Sequence, residues 1–331
     1  MHTDTGKIRL SSPLIDAAKI SLSTALNDSD ETIAQLEESR DSEFKQYLGK
    51  KLPSTPVNAG SIRKTLVDIQ QKTGNRSAVI YVNLPSEIQQ EKAQKQLAEE
   101  VKLVVITPEG KAINTTVLGV EQGKLLQAIQ DFRAKIATSY RRGNHSYLPL
   151  AQQLYQWLVA PIEPQLKDNS INTLLFSMDS RMRTLPVAAL HDGKQFLVEK
   201  YSLGMIPSFG LINPQYKTLE KAKALVMGAS VFEKQDPLPA VAVELAAMNQ
   251  MWKGQVFLNE NFIRFNLVEP RWGNQYEILH LATHAEFNPG SAENSYIQLG
   301  NDKLRLSQMG ELGWKKAAVE LLTLSACRTA H

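Results

Sequence analysis

Apolar positions along the chain follow three successive patterns. Residues 1–75 are polar and mostly helical in pattern. Ser29 or Asp30 can cap a helix running to about Leu48. Its apolar positions, Ile33, Leu36, Phe44, Tyr47 and Leu48, are sparse, so this helix is expected to lie on something larger. Pro53 and Pro56 interrupt the pattern. A β pattern begins at Ala78–Val82 and resumes at Val101–Thr107. It then crosses Pro108-Glu-Gly-Lys111 to Thr115–Leu118, and the turn chemistry of that crossing predicts a hairpin. Residues 86–100, charged and Gln-rich, read as a solvated loop or surface helix.

Two periodic helices follow. Leu125, Ile129, Phe132, Ile136 and Tyr140 recur on one face, and so do Leu150, Leu154, Trp157, Leu158 and Ile162 beyond a polar joint at Arg141-Arg-Gly143. Each lays one apolar stripe against a core. From residue 170 short apolar runs alternate with helical segments. Thr173–Met178, Lys223–Gly228, Gln255–Leu258, Glu277–Thr283 and Val319–Ser325 read as strands. Leu238, Val241, Leu245, Met248 and Trp252 mark a helix between the second and third. Continuous apolar strands alternating with helices predict a parallel sheet covered on both faces. The domains read as 1–75, a mostly helical segment; 76–145, a hairpin-and-helix lead-in; and 146–331, the α/β part.

Composition removes several classes. With 37 basic against 34 acidic side chains the net charge is +3, which gives no argument for nucleic acid or a membrane surface as partner. No run approaches the roughly 18–20 apolar residues of a spanning helix, and the N-terminus lacks a signal-peptide pattern. One cysteine excludes an internal disulfide, and a reducing cytoplasm is the simplest compartment. No Walker or dinucleotide glycine pattern occurs, so no cofactor is expected.

In parallel sheets, sites form at the carboxyl ends of strands. Two of the strands run out into reactive side chains: Glu277–Thr283 into His284-Ala-Glu-Phe287, and Val319–Ser325 into Ala326-Cys-Arg-Thr329. Parallel neighbours would bring both ends to one edge. An ordinary thiol, with a pKa near 8.5, is only a few per cent thiolate at neutral pH. An imidazole that takes its proton raises that fraction and later protonates the leaving group. Cys327 stands 43 residues after His284. The caspase pattern has a separation of about 50 and an Ala-Cys-Arg core, which Ala326–Arg328 keeps. Ser325 stands where that pattern has Gln, and Thr329 where it has Gly. Taken singly, a lone cysteine in an α/β protein is usually a small buried hydrophobe. His280 and His284 are no metal pair: on a strand they lie roughly 13 Å apart. Position 281 is Leu rather than the acid of a helical zinc motif. His280 is expected to be a buried or supporting residue, and no metal is expected.

Four segments together resemble the CHAT domains, bacterial caspase-like and separase-like peptidases often found behind TPR repeats. They are Leu174–Gly193, Phe196–Tyr201, His280–Phe287 and Leu324–Ala330. The resemblance covers about residues 145–331. It implies a caspase-like, mostly parallel sheet flanked by helices, preceded by the helical and β-hairpin lead-in. It implies peptide-bond hydrolysis with Cys327 as nucleophile and His284 as base and then acid. The amides of Cys327 and Ala285 would form the oxyanion hole. Asp179 is then a candidate acid for a basic P1 side chain, or alternatively a turn or cap residue. Glu286 could orient His284 or be a solvated loop carboxylate, and Arg181 and Arg183 read as surface charges. Family members continue about a hundred residues past the Cys motif. This chain stops four residues after Cys327, at His331, and no TPR repeats are evident upstream. The expectation is therefore a C-terminally truncated CHAT protein, with the final part of the fold absent. Its activity would need the missing segment, or a TPR-containing or complementing partner, to act on a protein or peptide substrate. The alternative is a catalytically silent regulatory or protein-binding fragment.

Overall fold

The computed structural model of the chain describes residues 19–21, 30–48, 55–84, 100–138, 144–273, 276–288, 290–313 and 319–326. The chain divides into two units: Met1–Phe44 with Leu52–Pro214, and Lys45–Lys51 with Gln215–His331.

The first unit holds a six-stranded sheet with the order β1-β4-β3-β2-β5-β6. Its strands are β1 (Lys19–Ser21), β2 (Ser77–Asn83), β3 (Glu100–Ile106), β4 (Ile113–Leu118), β5 (Thr173–Met178) and β6 (Ser202–Met205). The expected hairpin across Pro108–Lys111 is the antiparallel β3–β4 pair. Ala78 to Val82 of β2 are fully buried. A strand apolar on both faces is a central strand, and β2 takes β3 on one side and β5, in parallel, on the other. Alternate residues serve opposite faces. Ala78, Ile80 and Val82 pack with Leu125, Ile129 and Phe132 of the helix Gln122–Thr138 and with Leu154 and Leu158 of the helix Leu148–Leu158. Val79 and Tyr81 pack with Ile33 of the helix Asp30–Leu48 and with Ile62 and Leu66 of the helix Ala59–Thr73.

Two polar clusters, one buried and one half-buried, tie this unit together. Glu37, 4% exposed, accepts from the Tyr81 hydroxyl at 2.6 Å and from the amides of Phe209 and Gly210 at 2.9 and 2.8 Å. Burial first, then the Glu37 carboxylate, pushes the Tyr81 phenol far above its usual range. Gly210 has no room for a side chain there, since a Cβ would stand 2.5 Å from the Thr55 carbonyl oxygen. The second cluster centres on Lys200 in the short helix Leu197–Lys200. Its ammonium pairs with Glu163, and it reaches the Tyr155 hydroxyl and the Asp192 carboxylate at 3.0 Å each.

The second unit holds a four-stranded parallel sheet with the order β13-β9-β7-β8. The strands are β7 (Ala224–Gly228), β8 (Gly254–Leu258), β9 (Ile278–Ala282) and β13 (Leu321–Ser325). On one face Ala224, Val226, Ile278 and Ala282 meet Val241 and Leu245 of the helix Ala240–Met251. On the other, Leu225, Met227, Leu279 and Leu281 meet Phe262, Leu267, Leu299 and Leu304. Gly254 is required by strand pairing, because a Cβ there would stand 1.7 Å from the Ala224 carbonyl oxygen. A small antiparallel sheet follows β9: β10 (Ala285–Glu286), β11 (Tyr296–Gln298) and β12 (Lys303–Arg305).

The α/β fold with a mostly parallel sheet is thus present, with one correction. Thr173–Met178 does not join the parallel strands that follow it. It belongs to the first unit's sheet, where the central strand β2 needs a second neighbour. Ser29, Pro53, residues 86–99, Tyr140 and the Arg141–Gly143 joint lie outside the described residues. Among the described residues no helix is long and apolar enough to cross a membrane.

Candidate functional site

All five residues of β9 are buried, and its exit is fastened on both sides. The Thr283 amide donates to the Ser325 carbonyl of β13 at 3.0 Å. The Thr283 hydroxyl donates to the Gln298 carbonyl of β11 at 2.7 Å. The next residue, His284, is half-buried, and its carbonyl accepts from the Gln298 amide at 2.8 Å. Its backbone is therefore set by a rigid sheet and by the small antiparallel sheet beyond.

The imidazole is set by the loop that follows β7. His284 Nε2 lies 2.8 Å from the Asp236 carbonyl oxygen, and the Phe232 ring packs on it with centroids 4.7 Å apart. A carbonyl oxygen can only accept, so Nε2 carries the proton and Nδ1, which has no partner among the described residues, is the acceptor. The loop is itself anchored. The Ala229 amide donates to the Ala282 carbonyl at 3.1 Å, and the Leu238 amide to the Ser230 carbonyl at 2.9 Å. Gly228 lets the strand ends close up, because a Cβ there would stand 2.5 Å from the Ala282 carbonyl oxygen. Neither Phe232 nor Asp236 stands out in the sequence. The imidazole is held by a backbone oxygen, which carries no residue-type signal.

Cys327 lies outside the described residues. The strand leading to it does not. β13 runs parallel to β9 with Leu321 opposite Ile278 and Ser325 opposite Ala282. His284 follows Ala282 by two residues, and Cys327 follows Ser325 by two. Of the other expected site residues, Ala285 is buried and pairs with Ile297. The bond from the Gln298 amide to the His284 carbonyl makes His284 and Gln298 a hydrogen-bonded pair. Alternation along an antiparallel ladder then turns the Ala285 N–H away from β11. Glu286 pairs with Tyr296. Burial, reinforced by Glu286 and opposed by Lys303, raises the Tyr296 phenol.

His280 is buried on β9, and its Nε2 meets the Glu244 carboxylate at 2.9 Å. Its Nδ1 has no partner among the described residues. Asp179 belongs to the first unit. It caps the turn Ser180–Met182 and accepts from the Arg181 amide at 3.1 Å and the Arg181 guanidinium at 2.9 and 3.0 Å. Burial pushes the Asp179 carboxyl up, but Arg181 and then Arg40 outweigh it and hold the group below the usual carboxylate range. Arg183 pairs with Glu43 and lies over the Phe44 ring.

The family model of the CHAT domain matches residues 148–331. No curated protein matches the chain at a significant level.

Proposed function

The chain belongs to the CHAT domain family of caspase-like peptidases, and on that premise we propose that it is a cysteine endopeptidase with Cys327 as nucleophile and His284 as general base and acid. The observation that carries this reading is the register of β9 and β13. Parallel strands paired at Ala282 and Ser325 lead, two residues further on each, to His284 and Cys327. The His284 tautomer supports it as well, since the nitrogen left free to accept a proton is Nδ1.

In the proposed reaction His284 Nδ1 takes the Cys327 thiol proton. Sγ attacks the scissile carbonyl carbon, and the carbonyl electrons move onto oxygen. The amides of Ala285 and Cys327 are proposed to receive that oxyanion. Collapse breaks the C–N bond as the imidazolium protonates the leaving amine. A water then loses a proton to Nδ1 and attacks the thioester, the C–S bond breaks, and the thiol is restored. The Asp236 carbonyl stabilises the imidazolium by keeping an acceptor on Nε2. Glu286 is proposed to orient the site only through its strand, since its carboxylate interacts with Tyr296. Among the described residues β13 is an outer strand of its sheet, with Leu321 40% and Leu322 43% exposed. An apolar strand edge pairs readily with another strand, which supports a complementing segment or partner as a requirement for full activity.

The test is release of a fluorogenic amine from peptides with Arg or Lys at P1. Weak release by the parent chain alone, stronger release once a complementing C-terminal segment is added, and none by Cys327→Ala in either case are expected. Release that survives Cys327→Ala overturns the assignment. No release from the parent, together with no capture of a peptide aldehyde on Cys327, favours a silent binding protein instead.

A further inference from the structure

The loop 229–239 supplies the oxygen that holds His284, yet much of it is exposed: Val231, Glu233, Lys234, Asp236 and Pro237 all face solvent. Loops of this kind wander unless something fastens them. The fastening at its start comes from outside the loop. Asn259 Oδ1 accepts from the Ser230 amide at 2.8 Å and from the Ser230 hydroxyl at 3.1 Å. Asn259 directly follows β8, and β8 pairs with β7 up to Leu258 opposite Gly228. The side chain therefore reaches across the carboxyl edge of the sheet to the first residues of the loop.

Asn259 is itself held in an uncommon conformation. Its φ of 52° lies in the left-handed region, which asparagine tolerates and most residues do not. Its carbonyl accepts from the Phe262 amide at 2.9 Å. That carbonyl also backs onto Gly300, where a Cβ would stand 2.1 Å from it. Gly300 lies two residues beyond Gln298, whose amide holds the His284 carbonyl. The Asn259 turn thus braces both supports of His284, the loop through its side chain and the small sheet through its backbone.

We propose that Asn259 is a positioning residue for His284, fixing the loop 229–239 so that the Asp236 carbonyl keeps the imidazole in its Nε2–H tautomer with Nδ1 free. This rests on the peptidase reading only for the use made of His284. Two substitutions separate the roles of the side chain. Asn259→Gly keeps the backbone conformation and removes the acceptor. Asn259→Asp keeps an acceptor in place.

The test is the imidazole nitrogen spectrum above the titration range, with His284 assigned among the six histidines by its loss in His284→Gln. The parent and Asn259→Asp are expected to show the Nε2–H pattern, and Asn259→Gly a mixture of tautomers. On peptide substrate, kcat should fall roughly 10- to 100-fold in Asn259→Gly with KM little changed, and Asn259→Asp should restore it. A folded Asn259→Gly that keeps the parent nitrogen pattern overturns the proposal. Should that variant not fold, Ser230→Ala, which removes only the hydroxyl bond, must move the pattern part of the way; no movement overturns it equally. The nitrogen pattern needs no turnover. A parent with the expected pattern and no cleavage therefore counts against the peptidase reading and not against Asn259.

Discussion

His284→Ala lowers peptide turnover by roughly 10³- to 10⁶-fold, the range seen when the base of a nucleophile–base pair is removed. The same change leaves the melting temperature within about 4 °C of the parent. The two halves of this expectation have different causes. Among the described residues the imidazole makes one hydrogen bond, to the Asp236 carbonyl, and one ring contact, with Phe232, and it is half-buried. Losing them removes little buried area and leaves only an exposed carbonyl oxygen for water to satisfy, so the stability cost is about 1 kcal/mol or less. The proposed reaction, by contrast, loses both its acceptor for the thiol proton and its donor to the leaving amine. Turnover and thermal melting of the same preparation check both halves. A large fall in melting temperature with a proportionate fall in turnover would make His284 a structural residue.

Lys200→Met destabilises the first unit by about 2–3 kcal/mol, the cost of losing charge-assisted bonds in a half-buried cluster and less than that of breaking a fully buried ion pair. The Lys200 side chain is 10% exposed, and Glu163 and Asp192 are 14% and 17% exposed. Its three N–H donors are taken by Glu163, Asp192 and the Tyr155 hydroxyl, so four segments of chain meet at one ammonium. Methionine fills the stem's space and leaves two carboxylates facing each other. The pH dependence follows. Burial pushes the Asp192 carboxyl up, but the Gln195 and Lys194 amides and then Lys200 outweigh it and hold it far below the usual range. Glu163 is lowered in the same way, by Lys200 and Tyr155 against burial. Burial lowers the Lys200 ammonium, but Glu163, Tyr155 and Asp192 outweigh it and raise the group.

Carboxyls depressed in the folded state contribute stability that is present above their ordinary values, about 4, and lost as pH falls through the folded ones. A raised lysine contributes stability that is present below its ordinary value, about 10.4, and lost as pH rises through the folded one. Urea unfolding followed by circular dichroism should give a plateau between about pH 5 and 9, with shoulders that flatten in Lys200→Met. Equal slopes in both proteins would show that the cluster carries no linked stability.

What the sequence disclosed and what it withheld divide along physical lines. β9 and β13 are legible because their apolar runs are continuous, and His284 because it follows one of them directly. The β3–β4 hairpin is legible from its Pro-Glu-Gly turn. Sheet membership is not, since Thr173–Met178 looks the same whether it pairs with β2 or with β7. Strands as short as β10, β11 and β12, two or three residues each, fall below any periodicity window. The supports of His284 were hidden for a different reason. Asp236 acts through its backbone, and Asn259, a polar residue after a strand, reads as an ordinary turn. Asp179 could be read as an acid awaiting a cation or as a cap; it accepts from the Arg181 amide as a cap and from the Arg181 guanidinium as an acid.

The central claim is that Cys327 and His284 act as one unit, and it can be tested without any substrate. The chain has one cysteine, so the rate of iodoacetamide alkylation against pH reports Cys327 alone. The account predicts that alkylation of the parent rises at a pH clearly below the ordinary thiol value of about 8.5 and that the curve returns to that value in His284→Ala. Superimposable curves for the two proteins would contradict it.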